Sequence, residues 1–137
     1  MSHEQLDNLV ELGKLKPEPP SQEEVAALIR SGLVRLRDAK IELLSIESRF
    51  DLAYNAAHAP SLAALRQAGY RSDNRYLVFQ CLRHTLSLPN EQWRVLDQAH
   101  RKRNLMEYQG EFDLEEKLLD ALIRTAELVA ERVQVSA

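Results

Sequence analysis

Hydrophobic positions along this chain recur at helical spacing, and no stretch shows the strict alternation of a strand. Leu6, Leu9 and Val10 set that spacing first, predicting a short amphipathic helix from about Glu4 to Leu12 that ends near Gly13. Lys16-Pro17-Glu18-Pro19-Pro20 follows. Proline blocks helix and biases its predecessor to extended backbone, so this stretch is a stiff link. The short helix is then free to dock as an arm on its own molecule or on a neighbour. Ser21-Gln22-Glu23-Glu24 has the form of a capping box, in which hydroxyl and carboxylate satisfy reciprocal backbone donors. The helix behind it runs through Val25, Leu28 and Ile29 and is expected to end or bend at Ser31-Gly32.

The next helix is expected to be long, from about Leu33 to the Ala-rich stretch near Ala57. Leu43, Ile46, Phe50, Ala53, Tyr54 and Ala57 share one face within an arc of about 100°. Glu47, Asp51, Asn55 and His58 form a polar stripe beside it. Pro60 predicts a kink or break, after which helix resumes to Ala68 with Gly69 at its end. Tyr70 to Asn74 is read as a turn. Another helix, from about Asn74 to Ser87, buries Leu77, Val78, Cys81, Leu82 and Leu86. Pro89-Asn90 opens a fifth segment, with Asn90 as N-cap, that reaches about Tyr108 and stops at Gly110. Asp113-Leu114-Glu115-Glu116 reads as a second capping box, leading a last helix through Leu118, Ala121, Leu122, Thr125 and Val129.

This pattern predicts an all-α fold: an up-and-down bundle of four or five helices over residues 21–137, preceded by a short helix and Pro-rich linker over residues 1–20. A chain of 137 residues has room for one core. Composition supports the reading, since 45% hydrophobic and 28% charged residues suit a globular domain. Four glycines and five prolines are too few for a sheet of many hairpins. Cys81 is the only cysteine, which excludes an internal disulfide and a cysteine-based zinc site, and it reads as a buried small hydrophobe. No apolar run approaches the roughly 20 residues of a membrane span. Met1-Ser2-His3-Glu4 lacks the features of a signal peptide, which points to the cytoplasm.

Charge changes the picture in one respect. Residues 66–103 carry eight basic side chains against three acidic ones, and residues 111–132 carry three against seven. The first excess suits a polynucleotide-facing surface, although solvated helix faces commonly carry such charge too. On a helical wheel, Val95, Leu96, Ala99 and Met106 share a sector, and Arg103 falls inside it. Glu107, His100, Trp93, Asn104 and then Tyr108 follow around the rim. A buried guanidinium needs partners, because its charge and five donors lose water. Glu107 stands one turn away, and Asp51 or Glu47 on the polar stripe would be better buried. Alternatively, Arg103, Asn104, His100 and a carboxylate line a phosphate-holding pocket. The remaining polar residues offer less. His84 suits a helix end, and His58 a hydrogen-bonded packing role. The histidines lack metal-ligand spacing, so neither a metal nor another cofactor is expected, and there is no Gly-rich phosphate loop or Ser-centred nucleophile elbow.

From about Ser21 to Val133 the chain resembles the HEPN domains, a helical family of prokaryotic toxin–antitoxin and defence systems. The resemblance lies in the helix order, in Phe50-Asp51-Leu52-Ala53-Tyr54-Asn55-Ala56-Ala57, and in the Gly69-Tyr70-Arg71 turn. It continues through Ala99-His100-Arg101-Lys102-Arg103-Asn104-Leu105-Met106-Glu107-Tyr108. It implies a homodimer in which two motifs of Arg, a polar residue and His face one another across a cleft, and metal-independent RNA cleavage in the members that are enzymes. Arg103 and Asn104 match the first two positions, and the third falls on Tyr108. Tyrosine, with its pKa near 10, is a poor base at neutral pH, but it can donate to phosphate or stack on a base. His100, a turn before Arg103, is the other candidate for proton transfer. The resemblance thus implies RNA or nucleotide as ligand, and an antitoxin or nucleotidyltransferase-like protein as partner. Three readings stay open: a degenerate ribonuclease that binds RNA or nucleotide at Arg103, an active endoribonuclease, and a structural module with Arg103 in a buried ion pair.

Overall fold

The spacing of Leu6, Leu9 and Val10 produces helix α1 (Glu4–Glu11), and Gly13, at φ +74°, turns the chain out of it. The computed structural model describes residues 3–110 and 113–136. Met1, Ser2 and Glu111, which enter the sequence reading, lie outside the described residues. The Pro-rich link does more than separate two helices. Lys16–Pro17 forms strand β1, antiparallel to β2 (Tyr70–Arg71), and the Glu18 amide donates to the Gly69 carbonyl at 2.9 Å. The turn expected at Tyr70 therefore begins as a strand, because the extended link supplies a pairing edge. Leu6 and Leu15 pack with Leu65, Tyr70, Leu77, Val78 and Cys81 in a small second core, so the arm docks on its own molecule.

Helix α2 (Gln22–Ala39) starts as expected at Ser21, whose hydroxyl accepts from the Glu24 amide at 3.2 Å. Only half of the capping box forms, because the Glu24 carboxylate turns to Arg66 and Arg71 instead. The helix neither ends nor is interrupted at Ser31-Gly32. Gly32 serves a packing purpose: a Cβ there would meet Pro60 Cδ at 2.7 Å and the Ala56 carbonyl oxygen at 3.2 Å. Pro60 has no N–H for that carbonyl. Helix α3 (Ile46–Gln67) nevertheless continues past it as one element, so of the expected kink or break the break is absent.

The single helix expected from Leu33 to Ala57 is interrupted by a loop at residues 40–45. Ser45 caps α3 by accepting from the Ser48 amide at 3.1 Å, and Arg49 Nε donates to the Ala39 carbonyl at 2.8 Å, closing the end of α2. Leu43 falls in that loop and is 98% exposed, whereas Phe50, Ala53, Tyr54 and Ala57 are buried as expected. After Gly69 the chain forms α4 (Arg75–Gln80), capped by the Asn74 side chain, and α5 (Leu82–Thr85), which meet at Cys81 where one helix was expected. Helix α6 (Asn90–Gln109) has Pro89, and not Asn90, at its N-cap, and ends on left-handed Gly110. Helix α7 (Glu116–Ser136) begins beyond Asp113, so the second capping box does not form. The Glu115 carbonyl instead accepts from the Leu118 and Leu119 amides.

Helix α3 is the central element, packed on α2 and α7 and touching α4, α5 and α6. Its Phe50 and Tyr54 join Phe79, Leu82, Leu96, Leu119, Leu122 and Val129 in the main core. The chain is thus an all-α helical bundle with a short additional helix at its start. Among the described residues no helix is long and apolar enough to cross a membrane.

Candidate functional site

Tyr54 organises the polar cluster on which α3, α4 and α6 converge. It is fully buried, because the apolar face of α3 carries it inward, yet its hydroxyl needs a partner. His100 of α6 provides one, with Nδ1 2.9 Å from the Tyr54 oxygen. The Asn104 amide nitrogen donates to His100 Nε2 at 3.3 Å. With Nε2 accepting, the imidazole proton sits on Nδ1 and points at Tyr54. Burial, and then the Arg103 charge, lower the His100 pKa, so the ring is held neutral.

Arg103 is at the rim of the core, with 21% of its side chain exposed. Its guanidinium carbon stands 4.8 Å from the Tyr54 ring centre, and Arg75 of α4 stands 5.6 Å from the same ring. Two cations thus share one buried ring. The carboxylate that answers Arg103 is Glu107, at 3.0 Å on the same helix. Glu47 and Asp51 are exposed and are not the partners of Arg103. Arg103 Nε is buried and has no hydrogen-bond partner among the described residues. Asn55, on the same stripe, accepts from Arg75 at 2.8 Å and donates to the Asp51 carbonyl at 2.9 Å.

The structure therefore gathers Arg103, Asn104, His100, Glu107 and Asn55 around Tyr54. It leaves Glu47, Asp51 and Tyr108 outside that cluster. Tyr108 is 78% exposed and lines a shallow surface depression with Asn104 and Arg101. His58 lies at the cluster's edge, against Phe79 at 5.9 Å. Burial first, then the charges of Arg75 and Arg103, push its pKa down to about 4.

Several members had no distinguishing signal in the sequence. Arg75 and Tyr76 enter from α4, and Tyr76 packs between His100 (5.0 Å) and Trp93 (6.2 Å). Arg83 then covers Trp93 at 4.4 Å. The result is a run of rings, Trp93, Tyr76, His100 and Tyr54, with guanidiniums laid on its ends. Arg66 behaves differently from its neighbours in the basic segment, since it points inward and is 1% exposed. It binds Glu24 at 2.6 Å, Glu18 at 3.2 Å, and the carbonyls of Glu18, Pro19 and Tyr70. The basic segment is thus no single surface.

No protein-family model matches the chain, and no curated protein matches it either.

Proposed function

We propose that the chain is a HEPN-like homodimer that binds RNA or a nucleotide at the Arg103-centred face, a degenerate ribonuclease of a toxin–antitoxin or defence system. The observation that carries this reading is the run of half-buried Trp93, Tyr76 and His100 ending on the buried Tyr54, with Arg83, Arg75 and Arg103 laid against its ends. Rings beside guanidiniums suit unpaired bases and phosphates, because bases stack on any π-face and the arginine fork pairs with phosphate oxygens. Arg103 keeps capacity for a ligand, since Glu107 is itself 43% exposed and holds it from the solvent side. Asn104, the motif's second position, and neutral His100, which lies outside the motif, stand beside it. With Tyr108 turned to solvent, His100 is the remaining candidate base for any residual cleavage, and Asn104 would have to release its Nε2 first.

One observation favours a second reading. The Arg103–Glu107 pair and the Tyr54 ring together satisfy much of the guanidinium, as a purely structural arginine would require. Fluorescence anisotropy with short single-stranded RNA at low salt separates the two. Under the binding reading, Arg103→Ala weakens the complex about tenfold or more, the loss of a charge-assisted hydrogen bond, and raised salt weakens wild type. If wild type fails to bind, or Arg103→Ala binds equally well while losing stability, the structural reading replaces it. RNA cleavage by wild type that disappears in Arg103→Ala would instead make the chain an active endoribonuclease. Sedimentation of the purified chain tests the homodimer.

A further inference from the structure

A cavity of about 410 Å³ opens between the arm and the bundle, and Arg103 is not among the residues that line it. Lys14 and Lys16 line it from the arm, His58 from α3, and Arg71, Asp73 and Arg75 from the segment joining β2 to α4. Its charges do not cancel. Arg71 is bound to Glu18 and Glu24, which also take Arg66, so these four groups neutralise one another. Lys14, Lys16 and Arg75 are left against Asp73 alone. Neither lysine has an ion-pair partner among the described residues. Arg75 rests on the Asn55 amide oxygen and the Tyr54 ring. His58 adds an imidazole whose Nε2 is buried with no hydrogen-bond partner among the described residues.

Like charges around a concave space repel unless an anion joins them. A phosphate monoester, carrying roughly −1.5 to −2 at neutral pH, matches this excess of two positive charges better than a carboxylate does. The space falls in the range of about 300–1,000 Å³ typical of small-molecule sites. We propose that the cavity binds a phosphorylated small molecule, its phosphate held by Lys14, Lys16 and Arg75 beside His58. Two of the cations belong to the arm and the rest to the bundle, so the ligand also clasps the arm in place.

The site shares Arg75 with the ring-and-arginine face, but Lys14 and Lys16 belong to it alone, so the double lysine variant and Arg103→Ala let each reading fail separately. The test is thermal unfolding of the full chain with inorganic phosphate, pyrophosphate or adenosine monophosphate, against sodium chloride of equal ionic strength. Wild type and Arg103→Ala are expected to show a saturable rise in Tm of a few degrees with at least one of the three. The Lys14→Ala/Lys16→Ala variant, altered only at exposed side chains, should keep its ligand-free Tm and lose that rise. The His58 ring-proton resonances should shift along the same titration. The proposal is overturned if none of the three gives a saturable response, if the double lysine variant responds like wild type, or if only RNA binds.

Discussion

Replacing Arg66 with alanine should destabilise the fold by about 3 kcal/mol, the lower end of what breaking a buried ion pair costs. The lower end applies because the partners are not stranded. Glu18 and Glu24 have side chains 44% and 31% exposed, and both keep Arg71. The carbonyls of Glu18, Pro19 and Tyr70 lose a donor together, and the link loses its main attachment to α3. For a chain of this size that corresponds to a fall in Tm of about 10 °C. Denaturant melts followed by circular dichroism measure it directly. Arg66→Lys retains the charge without the planar fork and should fall between, losing about 1–2 kcal/mol. Acid titration adds an independent check. Hydrogen bonds from Arg71 and Arg66 hold Glu24 below its ordinary value of 4.5. Its contribution is therefore present above that value and lost as pH falls through the depressed folded value, and this acid loss should shrink in Arg66→Ala. An Arg66→Ala protein within about 0.5 kcal/mol of wild type, the range of ordinary surface changes, would refute the reasoning.

Other perturbations probe other parts of the molecule. His58, at about 4 when folded against 6.5 ordinarily, contributes stability above pH 6.5 that is lost as pH falls towards 4. The loss totals about 3 kcal/mol, and His58→Gln should flatten that part of the stability–pH curve; an unchanged slope would assign it to another group. Gly32→Ala drives a Cβ against the Pro60 ring and should cost about 1–2 kcal/mol net of the better helix propensity, so a higher Tm would contradict the packing argument. The hydrogen bond to Asp7 pushes Tyr70 up to about 12 from 10.0. Its share of arm docking is therefore complete below pH 10 and is lost as pH rises through about 12. Tyr70→Phe should remove that alkaline loss and expose α1 to proteolysis at neutral pH.

The buried face of α3 was legible because Phe50, Ala53, Tyr54 and Ala57 follow the helical period and little else competes there. The break before α3 was not. Residues 40–45 contain neither proline nor glycine, and the interruption depends on Ser45 capping forward while Arg49 reaches back to Ala39. The helix ends expected at Gly32 and Pro60 are absent for the opposite reason. Each is a helix breaker alone, but facing one another they permit a close crossing that neither reveals locally. At the candidate site, the wheel placed Arg103 beside His100 and Asn104 because all three lie on one helix. Arg75, Tyr76 and Arg66 were missed because their partners lie on other elements, 20 to 48 positions away.

The docked arm also implies an order of events in folding. Helices α2 and α3 meet across a short loop, whereas Asp7 and Tyr70 are 63 positions apart. Contacts that close so long a loop form late, after the local hairpin has brought β2 and the second core into place. The same asymmetry holds in reverse in the native state. Among the described residues, the arm from α1 through β1 contributes only Leu6, Leu15 and a two-residue ladder to the covered interior. They therefore form a separately opening unit, whose amides exchange with solvent through a smaller excursion than unfolding of the bundle requires.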